Sequence, residues 1–159
     1  PVAISTFSSL EDEVYYENTW MYERNFQGKH GHEGTDLLSV RNKNGIHPIV
    51  SMTDGIITKV GWSAAGGYRI GILSDSNIYY YYAHLDHYAA QVKENQSVRA
   101  GQIIGYMGSS GYGAEGTYGK FPVHLHVGIY INTADQYMVS VNPYHILKDL
   151  EQNIIKYNE

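Results

Sequence analysis

Histidine is the residue type in this sequence that is best suited to metal binding or catalysis. The sequence has 159 residues, with eight histidines and no cysteine. Without cysteine, the chain can form no disulfide, no thiolate nucleophile and no cysteine-ligated metal site. A bound metal ion would therefore need His, Asp or Glu as its ligands. Two short segments place such residues close together, at 32–36 and at 124–126.

The first segment reads His32-Glu33-Gly34-Thr35-Asp36. A helix would put His32 and Asp36 on one face, but Gly34 and Thr35 are poor helix formers. On a straight strand, four steps of about 3.3 Å would separate His32 and Asp36 by about 13 Å, which is too far to share one ion. Because Gly34 lets the backbone curl, we predict that His32 and Asp36 converge on one point. The alternative is a polar loop in which both residues are incidental.

The second segment, His124-Leu125-His126, lies in the apolar stretch 123–131, which predicts a strand. Alternation places both imidazoles on one face of this strand and Leu125 on the other. Two neighbouring histidines are costly to bury unless a metal or a substrate occupies them; the alternative is a face open to solvent. His84 ends another predicted strand, where alternation would put it on the same face as Tyr82. A histidine in that position on its own is more often structural than catalytic.

Other catalytic patterns are absent from the sequence. It contains no His-Glu-x-x-His zinc-protease helix, no Gly-x-Ser-x-Gly turn and no phosphate-binding loop that ends in Gly-Lys-Ser/Thr. Zinc deaminases need cysteine pairs, and a cupin-like barrel would carry a carboxylate shortly after its His-x-His. The formal net charge of −5, from 16 acidic and 11 basic residues, disfavours nucleic acid as a partner.

Strands must position these residues, because the composition favours β structure. The sequence holds 16 tyrosines and 17 glycines, and only 17% of its residues are charged. We therefore expect a mainly β domain. Period-two alternation between turn signals predicts strands at 48–52, 56–62, 68–73, 78–84, 96–98, 102–107 and 123–131.

The segments outside these strands carry further expectations. The apolar residues of 1–12 recur with no clear period. This predicts an N-terminal linker or tether remnant, with a short helix near 9–15 as the alternative. Residues 22–34 and the glycine-rich stretch 108–119 predict loops, the second of them flexible and placed to form a groove wall. Asn142 as N-cap and Pro143 begin one C-terminal amphipathic helix. Its apolar stripe comprises Ile146, Leu147, Leu150, Ile154 and Ile155.

Four separated motifs occur in one order: His32-x-Gly34-x-Asp36, Tyr82-Ala83-His84-Leu85, Gly101-Gln-Ile-Ile-Gly105 and His124-x-His126. In this order, over residues 20–144, they resemble the lysostaphin-type, or LytM-like, zinc metallopeptidases of bacterial cell walls. The resemblance implies a single antiparallel β domain over 13–159, with two packed sheets and a narrow groove. It also implies an endopeptidase that hydrolyses amide bonds in the peptide stems or cross-links of peptidoglycan.

Position by position, the resemblance implies one Zn²⁺ per chain, held by His32, Asp36 and His126. It makes His84 and His124 the catalytic pair that does not bind the ion, with the division of labour between them left open. An imidazole pKa of about 6.5 suits such proton transfer. The groove wall is expected to include Tyr22, Arg24, Phe26, Tyr82 and Tyr112. The remaining histidines, expected to be structural or at the surface, are His30, His47, His87 and His145.

The resemblance also implies partners and a location. Peptidoglycan peptides would be the substrate, and the location would be extracytoplasmic, in the bacterial cell envelope or secreted. Pro1 suggests an excised domain, so we expect a membrane tether in an upstream segment. The alternative function is a catalytically silent LytM-like tether or regulator that binds a partner protein in an envelope or sporulation complex; a sugar-binding β domain is a more distant one. Segment 121–123 and the length of 108–119 depart from the usual family pattern, which leaves the choice of substrate open.

Overall fold

Strands dominate the computed structural model, which describes residues 1–158. The helices are α1 (Leu10–Glu13) and α2 (Tyr144–Leu150), and a 3₁₀ turn follows at Glu151–Asn153. No helix in this part of the chain has the length and apolar character needed to cross a bilayer. The strands are β1 Ile4–Ser5, β2 Val14–Tyr15, β3 Glu23–Arg24, β4 His30–Gly31, β5 Thr35–Ser39, β6 Pro48–Val50, β7 Gly55–Ser63, β8 Gly67–Leu73, β9 Tyr79–Tyr88, β10 Ser97–Val98, β11 Ile103–Met107, β12 His124–Ile131, β13 Val139–Val141 and β14 Lys156–Tyr157.

Ten of these strands form one antiparallel sheet, which confirms the prediction of a mainly β, antiparallel domain. The main path runs β10-β7-β8-β9-β12-β5-β2, while β11 pairs with both β9 and β6, and β13 pairs with β12. Through β11, the layers that we expected as two packed sheets are joined into one hydrogen-bonded network. Within residues 1–158, the only parallel pairing of named strands is that of β1 with β14.

The register of the central strands assigns alternate residues to the core. Leu125, Val127 and Tyr82 face the core, and each is 0% exposed. The opposite face carries the intervening residues, among them Asp36 and its cross-strand partner His126. Burial of the core face fixes this register, because a slip by one residue would expose every core side chain.

A β-bulge interrupts the alternation in β9. Tyr68 pairs with Leu85 and Ile70 pairs with Tyr82, so two residues of β9 oppose a single residue of β8. His84 lies in this bulge and has a positive φ of 63°. Tyr82 and Leu85 therefore both face the core, whereas His84 faces the other side of the sheet.

Because of the bulge, our prediction for Tyr82 is wrong. We expected Tyr82 to share a face with His84 and to line the groove, but its side chain is fully buried in the core. The Met52 amide donates a hydrogen bond to the Tyr82 hydroxyl at 2.8 Å, and burial raises the pKa of this phenol. Tyr82 is therefore a core residue that no substrate can reach.

The C-terminal helix is present but shorter than predicted. At its start, the Tyr144 amide donates a hydrogen bond to the side-chain oxygen of Asn142 at 3.0 Å. Ile154 and Ile155 lie beyond the helix, so the prediction that they continue its apolar stripe is wrong. The Ile155 carbonyl instead accepts a hydrogen bond from the Ile4 amide, because the chain becomes extended where β14 pairs with β1.

Residues 1–12 differ from the linker that we expected. Ala3 and Ile4 are at most 1% exposed, and β1 pairs with β14. α1 follows Ser9, whose hydroxyl accepts a hydrogen bond from the Asp12 amide, in line with our alternative interpretation of a short helix here. The first residues are packed against the sheet because their apolar side chains complete its core.

The stretch 108–119 is a tethered loop, whereas we expected a flexible one. Ser110 is fully buried, and its hydroxyl donates a hydrogen bond to the Leu85 carbonyl at 2.6 Å. Within the loop, the Gly111 amide donates to the Thr117 carbonyl at 2.9 Å. These contacts hold the loop in a fixed shape beside the bulge of β9.

Candidate metal centre and groove

Three side chains meet on the polar face of the sheet. Asp36 in β5 pairs with His126 in β12, and the chain bends at Gly34, so His32 reaches the same point from the segment before β5. His32 Nε2, Asp36 Oδ1 and His126 Nδ1 lie 3.0 Å apart in every pair. The structure thus brings together the three residues that the sequence suggested as metal ligands.

Gly34 leaves space for the His126 ring. A Cβ atom at position 34 would lie 2.4 Å from His126 Cε1 and 2.6 Å from the Val127 carbonyl oxygen. These separations are far below contact distance, and a backbone oxygen cannot move aside as a flexible side chain could. We expected Gly34 only to let the backbone curl, whereas its missing side chain is a second requirement of the site.

We expect Gly34→Ala to lower the affinity for zinc by about 10- to 100-fold, the range seen when the support of a metal ligand is lost. The added methyl group would push the His126 ring away from Asp36. Competition with a chromophoric chelator measures the affinity. Glu33→Ala changes an exposed neighbour and should keep the wild-type affinity. Unchanged affinity in Gly34→Ala would contradict this account of the glycine.

Thr19 and Arg24 contact the outer sides of these ligands. Thr19 Oγ1 lies 3.0 Å from His32 Nδ1, and Arg24 Nη2 donates a hydrogen bond to Asp36 Oδ2 at 2.7 Å. Arg24 belongs to β3, which forms a hairpin with β4 inside the segment 22–34 that we expected to be a loop. Outer contacts of this kind orient metal ligands. Thr19 carries no motif, so sequence reasoning missed it.

Asp36 is held as a carboxylate. Burial alone would raise its pKa, but hydrogen bonds with His126 and His32 outweigh burial and hold the pKa well below its usual range. A carboxylate and two imidazoles whose donor atoms lie this close form a set that zinc binds in proteins. Three protein ligands leave one coordination position open, which is the arrangement of catalytic zinc sites. The residues present therefore fit such an ion.

His84 and His124 lie beside this group, with their ring centroids 4.6 Å apart. His84 Nδ1 is 2.8 Å from the Ser110 carbonyl, and His124 Nδ1 is 2.8 Å from the Pro122 carbonyl. Because a carbonyl can only accept, each Nδ1 must donate, which leaves a lone pair on each Nε2. His124 Nε2 lies 3.8 Å from Asp36 Oδ1, so its lone pair adjoins the three candidate ligands.

The surroundings keep both imidazoles neutral. Burial lowers the pKa of His84, and the neighbouring His124 and His126 lower it further. Burial also lowers the pKa of His124, against the opposing effect of Asp36. A neutral imidazole with a free Nε2 can accept a proton from an adjacent water molecule.

A cleft of about 300 Å³ contains all five of these side chains. Phe26, in the turn between β3 and β4, stacks on Tyr112 with 4.1 Å between the ring centroids. The Phe121 ring contacts both Tyr112 and His84 edge to face. The aromatic residues thus enclose the part of the cleft that holds His84.

The expected groove residues fall into two groups. Arg24, Phe26 and Tyr112 line the cleft. Tyr22 does not, because its side chain is 63% exposed and only its backbone adjoins the candidate ligand His32. A position just before a ligand in the sequence is therefore not enough to place a side chain in the groove.

The other four histidines lie outside the group of ligand atoms. His30 is exposed at the edge of the cleft, and His87 and His145 are exposed elsewhere. His47 is fully buried, with its Nε2 2.8 Å from the Ser39 hydroxyl. These positions fit the structural or surface roles that we expected.

Known proteins resemble this chain in sequence. The profile of peptidase family M23 matches residues 30–140. An L-Ala–D-Glu endopeptidase of Bacillus subtilis (strain 168) is 45% identical over 121 residues, which cover 76% of this chain and 36% of that protein. Lysostaphin of Staphylococcus simulans is 40% identical over 67 residues, which cover 41% of this chain and 13% of lysostaphin. The chain thus spans only a minor part of the length of either relative.

Solved structures share the fold. A crystal structure from Ruminococcus gnavus, of a protein described as a glycyl-glycine endopeptidase LytM, matches with a TM-score of 0.88 and 47% identity, over 99% of this chain and 62% of that one. The catalytic domain of lysostaphin from Staphylococcus simulans matches with a TM-score of 0.67 and 28% identity, over 87% of this chain and 95% of that domain. Since the family profile covers more than two thirds of the sequence, the chain belongs to peptidase family M23, the family of the lysostaphin-type endopeptidases.

Proposed function

We propose that this chain is a zinc-dependent endopeptidase that hydrolyses amide bonds in the peptide stems or cross-links of bacterial peptidoglycan. The proposal depends above all on three ligand atoms, 3.0 Å apart, that share one cleft with two neutral imidazoles. The names of the relatives support the substrate class, because they include an L-Ala–D-Glu endopeptidase and lysostaphin.

In this proposal, His32, Asp36 and His126 hold one zinc ion per chain, while His84 and His124 transfer protons. When bound, zinc lowers the pKa of a water molecule and polarises the scissile carbonyl. The Nε2 lone pairs of His84 and His124 take the proton of the attacking water and return it to the leaving nitrogen. Once protonated, an imidazole also donates a hydrogen bond to the oxygen that gains negative charge.

Neighbouring residues support this chemistry by fixing orientation and space. Arg24 binds the outer oxygen of Asp36, so the inner oxygen stays directed at the other ligands. Gly66 and Ala83 line the cleft with little side-chain bulk, which leaves room for a peptide backbone. The aromatic rings near His84 keep bulk water from competing for the transferred proton.

The location and partners follow from the proposed substrate. We propose that the chain acts outside the cytoplasm, in the cell envelope or as a secreted protein, because its substrate lies there. A membrane tether upstream and an envelope partner protein are part of the proposal through the family resemblance alone.

Purified sacculi with several cross-link types provide the test. We expect the zinc-loaded chain to release new amino termini from at least one type, to stop after chelation and to recover when zinc is returned. Mass spectrometry of the fragments identifies the bond that is cleaved. A zinc-loaded chain that binds sacculi without releasing any fragment would support a LytM-like tether or regulator instead.

A further inference from the structure

Arg69 is a charged residue near the cleft for which the proposed chemistry has no use. It precedes the core residue Ile70 in β8, so alternation directs its side chain to the opposite, polar face. Tyr81 in β9 pairs with Gly71, two residues beyond Arg69, and therefore shares this face. The Tyr81 ring lies 6.1 Å from the His126 ring. Arg69 and Tyr81 thus belong to the face that carries the candidate metal ligands.

The Arg69 guanidinium has no anionic partner within residues 1–158, where the ion pairs of arginine involve Arg24 and Arg41. Its Nε atom is buried and makes no hydrogen bond. Burying part of a guanidinium without a counter-ion is costly. An anion supplied by a ligand would therefore provide the counter-charge that the free chain lacks.

Tyr81 connects Arg69 to the cleft. The tyrosine lines the cleft, and its hydroxyl packs against Gly66, where a Cβ atom would lie 2.3 Å away. Burial raises the pKa of Tyr81, while Arg69 and Ser63 oppose that rise, so the guanidinium lies close to the phenol. A cation and a hydroxyl donor are thus adjacent to each other on one side of the candidate metal centre.

We propose that Arg69 and Tyr81 bind a carboxylate on the substrate residue next to the scissile bond, so that the chain selects peptides with an acidic residue there. This inference rests on the proposed function and adds a specificity subsite to it. A guanidinium binds a carboxylate through two parallel hydrogen bonds, and the phenol adds a third donor.

The names of the relatives include one bond that has an acidic residue beside it and one bond that does not. The L-Ala–D-Glu bond named for the Bacillus subtilis protein has an acidic residue on one side. The glycyl-glycine bond named for the Ruminococcus gnavus protein has none. An arginine that lacks an anionic partner and adjoins Tyr81, which lines the cleft, favours a substrate with an acidic residue for this chain.

Two matched peptides test the subsite: an L-Ala–D-Glu peptide with a free glutamyl carboxylate, and the same peptide with that carboxylate amidated. For the zinc-loaded wild type, we expect kcat/KM and binding both to favour the acidic peptide by about 10- to 100-fold, the range for a hydrogen-bonded charge. Arg69→Gln should lose this preference and use the acidic and the amidated peptide with equal kcat/KM and equal affinity. Arg69→Lys should keep part of it, because an ammonium retains the charge but not the planar fork.

Arg99→Gln is the matched control, since Arg99 is exposed in the turn between β10 and β11 and should leave the full preference unchanged. Equal use of both peptides by the wild type, or a preference that persists in Arg69→Gln, would overturn the subsite. If neither the wild type nor any variant hydrolyses either peptide, the proposed function fails. The subsite is then tested by fluorescence anisotropy, which measures the affinity of the labelled acidic and amidated peptides. A binding preference that Arg69→Gln removes supports the subsite, and equal or undetectable binding overturns it.

Discussion

His126→Ala is expected to lose stoichiometric zinc, whereas the wild-type chain should bind close to one ion per molecule. The substitution removes one of three donor atoms that lie 3.0 Å apart and leaves too few protein ligands for a stable zinc site. We expect the affinity to fall by more than about 100-fold, because even outer contacts of metal ligands are worth about 10- to 100-fold. Elemental analysis after dialysis, together with chelator competition, measures the stoichiometry and the affinity.

His30→Ala is the matched control for this experiment. His30 lies at the edge of the same cleft, but it is exposed and outside the group of ligand atoms. This variant should therefore keep one equivalent of zinc and the wild-type affinity. Should the His126→Ala protein retain a full equivalent of zinc, the assignment of His32, Asp36 and His126 would be wrong.

His84→Ala and His124→Ala are expected to bind zinc as the wild type does and to lose hydrolysis by about 10²- to 10⁴-fold, the usual contribution of a general acid or base. Neither side chain belongs to the group of three ligand atoms. Each keeps its Nε2 free because its Nδ1 donates to a carbonyl. Zinc content and the rate of fragment release, measured on the same preparation, separate the two effects.

The backbone at His84 calls for a second variant. His84 has a positive φ, and asparagine tolerates that conformation better than alanine does, so His84→Asn should fold even if His84→Ala is unstable. His87→Ala changes an exposed histidine on the same strand and should keep full activity. If substitution of His84 or His124 removes zinc, that histidine is a zinc ligand, and one of the three ligands that we propose is not.

Much of the site was predictable because its residues are near one another in the sequence. A glycine lies between His32 and Asp36, and strand alternation alone puts His124 and His126 on one face. The strands were predictable because their alternation is also local in the sequence. Each of the seven predicted segments overlaps an observed strand. β5 was not predicted, although it carries Asp36, because two adjacent leucines obscure its alternation.

The parts that we missed depend on contacts between distant segments. The bulge at His84 arises from the pairing of β9 with β8, and a single-strand pattern therefore assigned Tyr82 to the wrong face. Ile154 was predicted to be helical from its spacing, but the pairing of β14 with β1 overrides helix propensity. Arg24 contacts Asp36 from the hairpin of β3 and β4, whose short strands carry no clear alternation, and Thr19 contacts His32 from the segment before that hairpin.

The parallel pair formed by β1 and β14 also bears on the order of folding. Ile4 pairs with Lys156 and Ser5 with Tyr157, so the pair joins the beginning and the end of the described chain. The entropy lost on closing a loop grows with its length, and the ladder of β1 and β14 itself contributes only two residue pairs against that cost. The hairpins of β7, β8 and β9 close far shorter loops and therefore form earlier. In the native state, we therefore expect this two-pair ladder to open more readily than the long central ladders, so its amides should exchange with solvent before those of the strands that carry the metal ligands.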